Sequence, residues 1–146
     1  MKENKELRFL SILNPDEIGS FKEIPGKAIC GFFVNDGFSP NDFKVNTEFI
    51  DILHNTIKKH GYGLESLKVA AGEQVNGYVY IIDLRTKDGV MGNVPPEDII
   101  GAFKVSDGKI ISNEYRPNNN YKVFTDSGLI QLPKDLKDKL IEDILK

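Results

Sequence analysis

Apolar residues recur along this chain in two rhythms. One has helical spacing. Phe49, Ile50, Leu53 and Ile57 mark one face of residues 47–60, with Asn46 placed to cap the start and Glu48 in the first turn. Lys58, Lys59 and His60 suit the negative end of the helix dipole, and Gly61 supplies the stop. A weaker helix is expected over residues 64–74, where Leu64, Leu67 and Ala71 share a face and Gly72 lowers the propensity. After Pro133, the stripe Leu136, Leu140, Ile141, Ile144 and Leu145 predicts a last helix that docks on a sheet.

The other rhythm is that of strands. RFLSIL (8–13) reads as a first strand. AICGFFV (28–34) has no polar alternation and reads as a strand buried on both faces. YVYIIDL (78–84) is β-branched, aromatic and nearly continuous, which predicts a central strand. GAFKV and KIISNEY flank an Asp-Gly pair, the signal of a tight hairpin, and YKVFT and GLIQL flank a second turn at Asp126-Ser127-Gly128. The expected fold is a single α+β domain, mainly antiparallel sheet, with a mid-chain helix and a C-terminal helix packed on it.

Between these runs the chain is punctuated. NPDEIGSF (14–21) and PPEDIIG (95–101) each place proline and two acids ahead of a glycine, which predicts a short turn of helix leading into a strand. The likeness of NPDEIGSFK to PPEDIIGAFK is one local device used twice. NDGFSPND (35–42), KDGVMGN (87–93) and RPNNN (116–120) are rich in turn formers and read as loops.

Length and composition change little in this picture. The chain has 146 residues, 40% apolar and 28% charged, values ordinary for a globular protein. Net charge is −3, with no run of Lys or Arg, which argues against a nucleic-acid partner. A single cysteine, Cys30, excludes an internal disulfide, and its apolar run predicts an inert buried thiol. No stretch is long enough to span a membrane, and the opening residues do not resemble a secretory signal, so a cytoplasmic protein is expected.

Candidate chemistry is sparse. His54 and His60 are six apart on one helix and point different ways, so they do not form a metal pair, and the alternating acids of a calcium loop are missing around Asp36. HGYGLES has two glycines but neither the preceding strand nor the third glycine of a phosphate cradle. No nucleophile elbow occurs. A Cys30–His54 or Cys30–His60 dyad would require a buried thiol to act without an electropositive opening. The acid pairs Asp16/Glu17 and Glu97/Asp98 are accounted for by helix starts. No catalytic residue, metal ligand or cofactor site is therefore assigned. The remaining polar candidates are partner contacts: Asp36 and Asp42 in the NDGFSPND loop, Asp83 and Arg85 at a strand end, Glu97 and Asp98, and Tyr115 and Arg116 at the end of a hairpin strand. Tyr and Arg are residue types that anchor interfaces.

Two resemblances follow. In order, YVYIID, VPPEDIIGAFKV and RPNNNY resemble the later half of cholera-toxin-like ADP-ribosyltransferase domains, over Tyr78 to Tyr121. That likeness implies a diverged transferase acting on NAD, with Arg8 in the place of the NAD-gripping arginine. The Ser-Thr-Ser strand and the paired catalytic glutamate of that family are absent, since Asp88 is the only acid between Asp83 and Pro95. Secondly, the size, acidity, single-domain pattern and opening methionine resemble the small cytosolic immunity proteins that bacteria encode beside polymorphic toxins. That likeness implies a non-catalytic inhibitor, monomeric or weakly dimeric, that binds a basic toxin domain and needs no cofactor. The alternatives are the transferase or another, hydrolytic, enzyme.

Overall fold

The computed structural model describes residues 9–13, 25–86 and 94–145. The expected helical turn in NPDEIGSF, the KDGVMGN loop and Arg8 lie outside the described residues. Within them the fold is α+β, with three helices and three small antiparallel sheets.

The first sheet has the order β1-β2-β3, formed by Phe9–Ser11, Ile29–Phe33 and Phe43–Val45. β2 is central, but it is not buried on both faces. Cys30 is fully buried whereas Phe32 is 41% exposed, so the unbroken apolar run serves a core on one side only. The second sheet has the order β4-β5-β6, formed by Gly77–Ile82, Ile99–Ser106 and Lys109–Pro117. Here the expected central strand is corrected: β5 is central, and β4 is an edge strand among the described residues. Val79 and Ile81 point into the core while Tyr80 is 56% exposed. The tyrosines made the run look continuous because their rings are largely apolar, although their tips tolerate water.

The β5–β6 hairpin turns where the sequence places it. Asp107 and Gly108 have φ of 51° and 75°. A two-residue turn with both residues left-handed matches the right-handed twist of the strands it joins. The third sheet is the small hairpin β7–β8, Phe124–Thr125 with Gly128–Leu129.

Helix α1 spans Thr47–His60, and the Asn46 side chain caps it by accepting from Glu48 N–H at 3.1 Å. The same side chain donates to Ile29 O at 2.9 Å, so the cap also ties α1 to β2. Helix α2 spans Glu65–Gln74, and α3 spans Lys134–Ile144. α3 joins the core alongside α1, burying Leu136, Leu140 and Ile144. Thr56 Oγ1 and Lys59 Nζ of α1 reach Asp143 of α3 at 2.7 and 3.0 Å. One apolar cluster connects these layers through Cys30, Phe49, Leu53, Ile57, Ile100 and Phe103. No helix among the described residues is long and apolar enough to cross a membrane.

Candidate functional site

Two polar regions stand out, and they meet at residues 122 and 123. The first is buried. Asp83 follows the end of β4, and its carboxylate accepts the Arg85 N–H at 3.0 Å, turning the chain inward. Arg85 then enters the protein and its side chain is wholly buried. A guanidinium has five N–H donors, and here every one has an acceptor. Nε donates to Asp98 Oδ1 at 2.8 Å. Nη1 donates to the carbonyls of Val123 at 2.8 Å and Gly128 at 3.1 Å. Nη2 donates to the carbonyls of Glu97 at 3.0 Å and Lys122. The guanidinium also lies 5.5 Å from the Tyr121 ring centre.

The two carboxylates are held as fully. Asp83 accepts Tyr121 Oη–H at 2.7 Å and Gln131 N–H at 3.0 Å, and lies 3.6 Å from Arg85 Nη1. Burial pushes the Asp83 carboxyl up from its ordinary value, against the downward pull of the Arg85 N–H, the Tyr121 hydroxyl, the guanidinium and the Gln131 N–H. All these contacts are donors, so the carboxylate is the form they fit. Thr86 Oγ1 donates to the second oxygen of Asp98. The cluster therefore pins the end of β4, the turn before β5 and the β7–β8 hairpin to one point. A buried charge so fully satisfied is a structural tie, and removing one partner would strand the others.

The second region is open. A groove of ≈ 930 Å³ runs between α1, the β3 side of the first sheet and residues 117–124. α1 contributes Ile50, Asp51, His54 and Asn55; the first sheet contributes Phe43 and Val45; the facing wall contributes Asn119, Lys122 and Phe124. At the β3 end four rings meet. Phe33 is 5.6 Å from Phe38, 5.4 Å from Phe43 and 5.4 Å from Phe124, and Phe43 is 5.3 Å from Phe124, between ring centres. Phe38 is 67% exposed, at the tip of the loop that carries Asp36 and Asp42.

On the α1 wall, His54 Nδ1 lies 2.7 Å from Tyr115 Oη of β6. Burial lowers the His54 pKa from its ordinary value and Asp51, one turn earlier, opposes the shift. Burial also raises the Tyr115 pKa, so both rings are neutral near pH 7. Gly101 makes room for this pair, because a Cβ there would collide with the Tyr115 ring and hydroxyl.

These positions correct the expected contact set. Asp83, Arg85 and Asp98 are 0%, 5% and 3% exposed, so they offer a partner almost no surface. Asp98 gives its carboxylate to Arg85 and Thr86 rather than to a helix start. Tyr115 is half-buried against Phe103 and His54. Glu97 is half-buried, and its carbonyl serves Arg85 and Lys122 N–H. Arg116 is exposed, but it stands on the outer face of β6 with its guanidinium 5.8 Å from the Tyr78 ring centre, apart from the groove. Asp36 is exposed, and Asp42 is half-buried with Oδ2 accepting from Ser39 Oγ at 2.9 Å.

Two expected neighbours do come together. The NDGFSPND loop and the end of the EYR strand both reach the groove, through Pro40, Asn41, Pro117 and Asn118. Cys30 is fully buried and burial raises its pKa; His54 turns to Tyr115 and His60 toward Asp143, so no cysteine–histidine dyad forms. Among the described residues no His, Cys, Asp and Glu group is arranged to hold a metal ion. The sequence reading missed Phe38, Phe43, Phe124, His54 and Asn119 as site residues. A local signal existed only for Phe38 and Phe43, which belong to a crowd of phenylalanines over residues 32–43 between turn formers.

No protein-family model, curated protein or solved structure matches this chain.

Proposed function

We propose that the chain is a protein-binding module of the kind that neutralises a toxin domain, and that it binds through the phenylalanine cluster and the groove behind it. One observation carries the reading. Phe38, 67% exposed on an acidic loop, sits against a stack of rings that opens into a groove of ≈ 930 Å³. A large aromatic presented at the mouth of a cleft has the form of an interface anchor. Asp36 and Asp42 on the same loop favour a basic partner and speed its approach. The net charge of −3 agrees in sign.

The test begins with recovery of the partner from the native cell and its titration against the pure protein. Tight binding to a single basic protein, with that protein's toxicity suppressed on co-expression, supports the reading. No partner, together with turnover of NAD by the pure protein, overturns it.

A second reading, an enzyme working in the same groove, has the His54–Tyr115 pair in its favour. A neutral imidazole oriented by a phenol is a competent proton carrier. It requires NAD hydrolysis or another turnover that is lost in His54→Ala.

A further inference from the structure

The outer edge of β3, which no strand joins among the described residues, borders the groove. Val34 N–H donates to Asp42 O at 2.7 Å, and Asn46 N–H donates to Cys30 O at 2.7 Å. Between them the register pairs Lys44 with Phe32. Antiparallel ladders alternate, so residues 42, 44 and 46 turn their main-chain groups toward β2, and Phe43 and Val45 turn theirs away. The Phe43 N–H is taken by Pro40 O. The Phe43 carbonyl and both main-chain groups of Val45 are left on an edge that no strand joins among the described residues. Val45 is 43% exposed and lines the groove.

A second observation concerns the walls. Asn55 on α1 and Asn119 opposite are exposed and line the groove. Their carboxamides make no hydrogen bond among the described residues, whereas Asn118 spends its amide on Pro96 O and Ile99 O at 2.8 Å each. A carboxamide carries a donor and an acceptor side by side, the hydrogen-bonding complement of a peptide unit. The walls also differ in charge, with Asp51 on α1 and Lys122 facing it.

We infer that an extended segment of the protein partner adds to the outer edge of β3 as a strand, bonded through the Val45 main chain, with a basic side chain directed at Asp51. This rests on the groove being the binding surface. It makes recognition a matter of main-chain pairing first, with the phenylalanine cluster and Asp51 selecting side chains on the added strand.

Val45→Pro tests it. The substitution removes the outward N–H and leaves the β2 ladder intact, and proline is tolerated on an edge strand. The probe is a set of decapeptides selected from a phage-displayed random library on the wild-type protein and then synthesised. Bound peptide is expected to slow amide exchange at Val45. Val45→Pro should weaken binding about tenfold or more, the loss of one main-chain bond with added crowding. Asp51→Asn should weaken peptides containing Lys or Arg more than peptides that lack them. Where Val45→Pro disturbs the fold, N-methylation of the peptide residue opposite Val45 asks the same question from the ligand side. Failure to select any groove-binding peptide, unchanged exchange at Val45, or indifference to both the proline and the N-methyl group would overturn strand addition. A native partner weakened by Phe38→Ala but indifferent to Val45→Pro would remove strand addition and leave the binding reading standing.

Discussion

Lys122 and Val123 belong to two surroundings at once. Their carbonyls are consumed by the buried Arg85, and the same residues line the groove opposite His54. On the Arg85 side every strong donor has an acceptor: the Asp98 carboxylate takes one, and main-chain carbonyls from three separate segments take the other four. On the groove side, aromatic rings and carboxamides are presented to solvent. The residues whose side chains look most reactive, two aspartates and an arginine, thus hold the wall, and the bland-looking phenylalanines and asparagines line the open groove. Polar character marks a site only where it is left unspent.

The contrast is broken most forcefully at Arg85. Arg85→Ala should cost about 3–5 kcal/mol, because it leaves Asp83 and Asp98 buried without their counter-charge and strips the acceptors of donors. Chemical denaturation followed by circular dichroism would read it. Arg85→Lys should recover only part of the loss, since an ammonium has three donors and no fork. A variant of near wild-type stability would show that the tie is not structural.

Tyr121→Phe is a milder cut in the same cluster. It removes the hydroxyl donor to Asp83 at 2.7 Å and keeps the ring, so about 1–3 kcal/mol should be lost. Gly101→Ala probes the groove wall from behind. Its Cβ meets Tyr115, and displacing that ring from His54 should cost about 1–3 kcal/mol, visible as a lower melting temperature and a shifted His54 ring resonance.

The smallest effect concerns pH. The folded state lowers the His54 pKa by burial, with Asp51 opposing. The unfolded chain therefore binds a proton at His54 first as pH falls. Its share of stability is present above the unfolded value of about 6.5 and is lost as pH drops through the folded one. The difference in urea midpoint between pH 7.5 and 5.5 should accordingly be smaller in His54→Phe than in wild type.

Much of this fold could be read locally. Asn46 caps its helix, Asp107-Gly108 turns its hairpin, and the spacing of Phe49, Leu53 and Ile57 marks the buried face of α1. What escaped was decided at long range. Nothing near Tyr78 or Tyr80 tells whether a strand pairs on one side or two, because pairing is set by segments distant in the chain. Asp83 and Arg85 look like a surface pair at a strand end until residues 122–131 close over them. Tyr121 reaches Asp83 across 38 positions, and Tyr115 reaches His54 across 61. The acids of the NDGFSPND loop single it out as a candidate contact surface, whereas the exposed ring at its tip, Phe38, has no periodic pattern around it that would mark it.

The central claim is that the groove side binds and the Arg85 side holds, and Phe38→Ala tests it most directly. Its melting temperature and its affinity for the partner recovered from the native cell should be measured together. Stability should stay within about 1 kcal/mol of wild type, since the ring is mostly exposed. Affinity should fall at least about tenfold, as for an interface anchor. Undiminished affinity for that partner, or a loss of stability as large as that of Tyr121→Phe, would contradict the account.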